Sequence, residues 1–572
     1  MKTKRLFLLI LSAVLMTSML ASCGDSNEDG QPVEEEEEDK GAIIEMYFGQ
    51  MPKDFDPTNY ATNSDEYQIT ELLYEGLTGV DKSGKVYGVG AKEWEYEVDE
   101  RDGELKLHIE LKSSKWSDGV PVRADDYIFA WKRLLAPSNS NPASSLLYPI
   151  KNAKKVKSGE VTVADIGASA VSEQLLEITF EEGFTDVEYF LECLASPMLV
   201  PLREDKVKSD DWSTKLDLLV TNGPFAIKSM SEDRLLIERS MHYNSLKLRQ
   251  KPDTYVKPYR LIAHFGNEAE AIELYNTDDV VTKYFYLSDL SKEAYAQFGK
   301  DVKTDSDLTT YTYFFNTKNE LLSDASTRKA LSAALDREAI AEIRGVGAEA
   351  ATGLVPAGVR EAGSKNDFRA VAGDVLTPSL EGAKAAKTGT IKLTYNKDRA
   401  YEEEIAKHAK DAWKSLGFTV ELDGVDGNTI DDVIKSGEFD VIAADYISFT
   451  SDAYGFVAPF ALEFSGSYVD VTNPDVFFNA HFTGYESEEY NALIQQLYTA
   501  DKKTRASLMH DAEKMLLDSA PVAPLFFEKV NYVSSSKLSK IQVNYRGAKI
   551  FTNTKLSGYK KINEAKELAE EE

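Results

Sequence analysis

Residues 391–422 read IKLTYNKDRAYEEEIAKHAKDAWKSLGFTVEL. Ile391 to Tyr395 is a short strand-like run, Glu403 to Leu416 has the apolar spacing of a helix, and Phe418 to Leu422 is strand-like again. Strand, helix and strand in that order open a βαβ unit. Val433 to Ile442 repeats the rhythm. Upstream, Ala42 to Phe48 predicts a buried strand, and Leu105 to Leu111 alternates apolar and polar residues as a half-buried strand does. Tyr127, Ile128, Trp131, Leu134 and Leu135 form one face of a helix over 124–135. Leu235 to Arg239 and Tyr259 to Phe265 predict strands, and Ala330, Leu331, Ala334 and Leu335 make a helical stripe that Ile340 and Ile343 extend. Arg505 to Leu517 is a further amphipathic helix, closed by Pro521, and the polar residues from Asn563 onward form a frayed tail. Strands and helices thus mix along the whole chain, as in α/β or α+β domains, and no internal repeat interrupts them.

The amino terminus has a separate character. Lys2, Lys4 and Arg5 precede an uncharged run from Leu6 to Leu20, followed by Leu20-Ala21-Ser22-Cys23-Gly24. A basic start, an apolar stretch and small residues before a cut site make an export signal. The Cys at that place resembles a bacterial lipobox, which implies lipid on Cys23 as the first mature residue. Residues 1–22 are therefore expected as the signal peptide. Residues 23–41, with the acidic run Glu34 to Asp39, are expected as a disordered, self-repelling tether.

A chain of 572 residues is too long for one core and predicts two or three domains. Its net charge is −31, more negative still without the three cations of the leader, which repels nucleic acid. No second apolar run reaches membrane-spanning length, so the body is expected outside the cytoplasmic membrane. The other cysteine, Cys193, lies in the apolar context Phe190 to Ala195 and reads as a small core residue.

Chemistry is sparse. No His-Glu-x-x-His or Gly-x-Ser-x-Gly pattern occurs, and the histidines at 108, 242, 264, 408, 481 and 510 lack ligand spacing. Gly345-Val346-Gly347 follows a helix rather than a strand, unlike a dinucleotide loop. Asp423 to Thr429 fails the spacing of a calcium loop and is expected as a turn in which Asn428 or Thr429 caps the next helix. No enzyme activity, cofactor or metal is expected.

An ordered series of motifs carries a resemblance. It runs through Asp56-Pro57, Ile69 to Leu77, Ala91 to Trp94, Lys115-Trp116-Ser117-Asp118-Gly119-Val120-Pro121-Val122 and Asp125-Asp126-Tyr127. Trp131 to Leu134, Asn222-Gly223-Pro224-Phe225, Phe314-Phe315-Asn316-Thr317, Arg328 to Leu331, Ala334 to Arg337 and Ala520 to Phe526 complete it. From about residue 42 to 560 the chain resembles the extracytoplasmic solute-binding proteins of the peptide and nickel ABC transporter group (family 5), and most closely the oligopeptide-binding lipoproteins. Most of these residues have a structural reading as well. Trp94, Trp116 and Trp131 default to core packing, Arg328 and Arg337 to capping or pairing on one helix, and Asn222-Gly223-Pro224 to a turn that closes a strand. Arg123 precedes the helix at Ala124 where the family tends to place Thr, and Asp125 or Asp126 is expected to offset the lost cap.

The resemblance implies a periplasmic-binding-protein-like fold of cluster C type, with two lobes on a hinge and an extra inserted domain. Lobe I is expected at 42–62, 196–312 and 528–572, the insert at 63–195 and lobe II at 313–527, with hinge segments near Tyr311 to Phe315 and Leu525 to Glu528. It further implies short peptides as ligand, ABC permease and ATPase subunits as partners, and a monomer anchored through its lipid on the outer face of the cell membrane. In Val441-Ile442-Ala443-Ala444-Asp445-Tyr446, Asp445 is the implied anchor for a peptide α-ammonium. Its other reading is the end of a strand. Ala444, Tyr446, Tyr148, Tyr313 and Phe526, with Tyr311, are further expected cleft residues. Two departures from the family stand out: Ile447 to Asp452 follows where an acidic residue and Pro are usual, making Asp452 a substitute, and Met51 or Gln50 stands where the peptide binders carry Glu. Other solutes on the same fold (a nickel chelate, haem or a glycoside) and an adhesive or chaperone lipoprotein are the alternative readings.

Overall fold

A computed structural model describes residues 40–564 apart from 50, 60–63, 82–83, 244–255, 277–284, 289, 377–384, 386, 467–480 and 546. The expected signal peptide 1–22, Cys23 and the expected tether up to residue 39 lie outside the described residues. The described residues from 41 to 564 belong to one compact unit.

Two thirteen-residue strands, Lys303–Phe315 and Val522–Ser534, organise the molecule. They pair antiparallel with each other and occupy the middle of an eleven-stranded sheet. On one side Phe285–Ser288, Ile43–Phe48 and Arg260–Phe265 run parallel to one another, and Arg234–Arg239 and Phe225–Met230 finish that edge antiparallel. On the other side Val441–Ile447 pairs with the first long strand, and Thr390–Asn396 and Thr419–Val425 follow in parallel. The βαβ reading of 391–422 is this edge, with Ala400–Ser415 as its crossover helix.

The two long strands break step twice, the second time between Tyr311 and Thr312, opposite Phe526 and Pro524. Their register first shifts between Ser306 and Thr310, where buried Leu308 takes φ +57°. Left-handed backbone at a branched residue costs about 1–2 kcal/mol, and an irregular rung of this kind bends a ladder. The bend lies just before the expected 311–315 and opposite Phe527 to Lys529.

Residues 91–179 add a four-stranded antiparallel sheet, in the order Ala91–Val98, Leu105–Leu111, Leu175–Thr179 and Ala168–Ser172. Helix Ala124–Leu135 buries Tyr127, Ile128, Trp131, Leu134 and Leu135, the predicted face. Asp126 supplies the cap that Arg123 does not: its carboxylate accepts the Arg123 backbone N–H at 2.9 Å and the Trp116 indole N–H at 3.0 Å.

Several local expectations need correction. Arg328 and Arg337 lie on successive helices, Ala325–Ala333 and Arg337–Arg344, and each buried guanidinium donates to backbone carbonyls. Asp426, not Asn428 or Thr429, stands at the N-cap of Gly427–Ser436. Asn222-Gly223-Pro224 opens the strand Phe225–Met230 instead of closing one. There the Asn222 side chain brackets the Glu75 backbone, and a Cβ on Gly223 would lie 2.6 Å from the Leu73 backbone. Cys193 is fully buried, and burial pushes its thiol well above its ordinary range.

Candidate functional site

The carboxyl ends of the parallel strands on the two sides of the sheet face each other. Lys53 follows Ile43–Phe48, Asp431 follows Thr419–Val425, and their side chains meet at 3.1 Å. Ligands of open α/β sheets bind beyond the carboxyl ends of strands, so this junction is where a site is expected.

Five charged side chains converge there from four elements. Arg399 leaves the chain just after Thr390–Asn396 and reaches Asp445 near the end of Val441–Ile447, Nη1 to Oδ2 at 2.9 Å. The same nitrogen stands 3.4 Å from Glu402, in the first turn of Ala400–Ser415. The other Glu402 oxygen accepts the Asn396 N–H at 2.8 Å, and the Tyr311 hydroxyl also bonds this carboxyl. Behind them Arg344 pairs with Glu528 at 2.8 Å and lies 4.5 Å from the centre of the Tyr401 ring. Three carboxyls thus face two guanidiniums.

The cluster is mostly buried but its hydrogen bonding is incomplete. Arg399 keeps 32% of its side-chain surface open to solvent, while Asp445 keeps 11%. Asp445 Oδ1 is buried and has no hydrogen-bond partner. An unsatisfied buried polar atom costs about 1–3 kcal/mol, more when charged, and its persistence points to a missing donor. Burial, opposed by Arg399, pushes Glu402 up to about 7. Burial also raises Glu528, against the pull of Arg344. The Asp445 carboxylate holds Arg399 firmly protonated. The arrangement can accept one donor-rich cation.

The other expected site residues lie elsewhere. Side chains alternate along a strand, so Tyr446 points to the opposite face from Asp445. Its hydroxyl donates to the Phe456 carbonyl at 3.0 Å and its ring packs on Phe314, Phe456 and Phe460. Ala444 shares that face, opposite Thr312. Tyr313 is fully buried against Trp413, and Phe526 stacks on Tyr311 at 4.8 Å under the cluster. Tyr148 is buried and donates to the Glu463 carbonyl at 2.8 Å. Asp452 is already occupied, paired with buried Arg505 at 2.5 Å. His264 stacks on Tyr47 and meets Glu45 at 2.7 Å. Among the described residues no His, Cys, Asp and Glu group could hold a metal ion. Two open surface depressions, around Asn316, Lys392 and Asp440 and around Glu338, Gly345 and Glu349, lie outside this cluster.

Arg399, Glu402, Arg344 and Glu528 escaped the sequence reading. The signal for the first two was present: a charged pair directly after a predicted strand of a βαβ unit stands at its carboxyl end.

A second set of contacts joins residues 63–195 to residues 350–530. Arg360 donates to Glu192 at 2.6 Å and to the Gly84 carbonyl at 3.3 Å. The Arg505 guanidinium lies 3.5 Å from the centre of the Tyr189 ring, and Lys154 pairs with Glu463.

A mixed sheet threaded by two long strands, with facing carboxyl ends and a buried charged cluster beside them, is the fold of a two-lobed binding protein. The chain belongs to the bacterial extracellular solute-binding proteins of family 5, whose middle-region model matches residues 85–468. The dipeptide-binding protein DppE of Bacillus subtilis is 27% identical over 507 residues, which is 86% of this chain and 87% of that protein. The structure of Listeria monocytogenes OppA bound to peptide superposes with a TM-score of 0.74 at 23% identity, covering 90% of this chain and 99% of that one. The Escherichia coli murein tripeptide-binding protein MppA superposes at 0.72 with 22% identity, covering 90% and 98%. Its unliganded open form superposes at 0.57 with 23% identity, covering 90% and 97%.

Proposed function

We propose that this protein captures short peptides between its lobes and delivers them to the permease and ATPase of an ABC importer. The observation that carries the reading is the bare Asp445 oxygen in a mostly buried cluster with one carboxyl in excess. A peptide α-ammonium brings one positive charge and three donors, which suits that oxygen. The names of DppE, OppA and MppA support the same ligand class. Tolerant side-chain recognition follows if the peptide backbone is held in extended form, as in strand addition.

In this reading lobe I comprises 42–62, 196–312 and 528–572, the insert 63–195 and lobe II 313–527. The lobes turn about the irregular rung at Leu308. The better superposition on MppA outside its open form, and the Lys53–Asp431 and Arg360–Glu192 contacts, support a closed arrangement here. The function is ligand-linked closure, without a covalent step. Lipid on Cys23 anchors the protein outside the cytoplasmic membrane, and it works as a monomer.

Calorimetry with a pooled library of short peptides, each free and N-acetylated, tests the reading on wild type and Asp445→Ala. Binding that requires both the free amine and Asp445 is the expected result. Absence of binding to every peptide refutes it, and binding to a metal chelate, haem or sugar instead would redirect it. Mass spectrometry of the recovered peptides checks that none is cleaved.

A further inference from the structure

We propose that Arg399 is the positioning residue of the amine site: by holding Oδ2 of Asp445 it leaves the buried Oδ1 without a partner, so that the site takes a single cationic group. This assignment rests on the peptide reading above and names the residue that makes it selective.

The geometry carries the argument in three steps. First, a carboxylate at the end of a strand can turn about its last bond, and only a partner on one oxygen fixes where the other points. Arg399 Nη1 supplies that partner at 2.9 Å, and the opposite oxygen is the one left without a bond. Second, Arg399 is itself held in place. It occupies the N-cap of Ala400–Ser415, and its guanidinium turns back onto Glu402, three residues on, whose other oxygen is tied to the Asn396 backbone. The chain Asn396–Glu402–Arg399–Asp445 therefore transmits the rigid end of one strand to the neighbouring strand. Third, the guanidinium neutralises part of the cluster. Without it, Asp445, Glu402 and Glu528 would face only Arg344, and such crowded carboxyls would take up protons in place of an ammonium ligand. With it, the cluster has one carboxylate in excess once Glu402 is ionised, above about pH 7, and then matches a single cation.

A positive residue beside an ammonium site could equally weaken binding by repulsion. The placement argues otherwise, since Arg399 is engaged with both carboxylates and it is the far oxygen of Asp445 that is bare.

The experiment measures Kd for free and N-acetylated forms of one tripeptide chosen from the pooled library as a wild-type binder. The proteins are wild type, Arg399→Gln, Arg399→Lys, Asp445→Asn and the Arg399→Gln/Asp445→Asn pair. The readout is the ratio of acetylated to free Kd, which a general loss of folding or packing does not move. Wild type is expected to favour the free peptide by at least about tenfold, the worth of one charge-assisted bond. Arg399→Gln should bring the ratio near one, Arg399→Lys should retain an intermediate ratio, and the double variant should be no worse than Asp445→Asn alone. Should Arg399→Gln fail to fold, Arg399→Lys still decides: it keeps the charge but not the planar fork, and a ratio equal to wild type overturns the positioning role. An unchanged ratio in Arg399→Gln, or tighter binding of the free peptide, also overturns it while the peptide reading stands. Wild type binding free and acetylated peptides equally removes the amine site alone. Wild type binding no peptide removes the peptide reading and this assignment with it.

Discussion

Removing the charge of Glu192 should weaken ligand binding without weakening the fold. Glu192 accepts from Arg360 at 2.6 Å, and both side chains are mostly buried, 14% and 16% exposed. Exposed ion pairs contribute about 0–1 kcal/mol, whereas breaking a fully buried one costs about 3–5 kcal/mol. This pair lies between those limits, so Glu192→Gln, which keeps the shape, should cost about 2 kcal/mol. Glu192 lies in the stretch assigned to the insert and Arg360 in that assigned to lobe II, so the loss falls on the closed arrangement alone. Apparent affinity scales with the closed fraction, and about 2 kcal/mol corresponds to about 30-fold in Kd. Gly84→Ala should also weaken binding, because a Cβ there would lie 2.1 Å from Arg360 Nη1, but its φ of +78° should lower the unfolding midpoint as well. Calorimetric Kd, the ligand off-rate and the unliganded unfolding midpoint together make the test. For Glu192→Gln a weaker Kd with a faster off-rate and an unchanged midpoint is expected. An unchanged Kd with a lowered midpoint would refute the reasoning, since the pair would then sit within one rigid body.

Three further outcomes follow from named contacts. Glu513 is fully buried, pairs with Arg369 at 2.5 Å and accepts the Leu354 and Val355 N–H groups, so Glu513→Ala should lose about 3–5 kcal/mol in denaturant unfolding. Glu402 is held up at about 7 by burial, so its protonated form is favoured in the folded protein. The stability it contributes is complete below its ordinary carboxyl range and is lost as pH rises through about 7. Conversely, acidifying from pH 8 to 6 removes a negative charge from the cluster. Affinity for the ammonium form of a free-amine peptide, after correction for the titration of its α-amine at about pH 8, should fall across that window, and Glu402→Gln should flatten the profile. The Tyr313 hydroxyl is buried without a partner, so Tyr313→Phe should stabilise the protein by about 1 kcal/mol in thermal unfolding and leave peptide affinity unchanged.

The parts of the molecule that were legible in the sequence are those governed by local periodicity. The stripe Tyr127, Ile128, Trp131, Leu134 and Leu135, the alternation over 105–111 and the βαβ run at 391–422 each stand where their spacing placed them. The candidate site was legible only at Asp445. Its partners come from elements far apart in the chain, 46 residues away for Arg399, and no local pattern announces such a pairing. Aromatic residues were the least readable. Tyr148, Tyr313, Tyr446 and Phe526 suit a ligand wall or a core equally well by type, and here all four pack against protein. The caps show the same limit: Asp426 and Asn428 are both good N-cap residues, and the start of the helix at Gly427 decides between them.

The late strand Val522–Ser534 has a consequence for how the molecule comes into being. It occupies the middle of the large sheet, between Lys303–Phe315 and Phe285–Ser288. As the chain emerges from the ribosome, every earlier strand of that sheet is made before the one that joins its halves. Until residue 534 is free to pair, both halves present an open edge and neither core is complete. Contacts of such long sequence separation are slow to form. A polypeptide built in this order can pair the strands of 91–179 early, but it cannot close its large sheet until nearly all of it has been made.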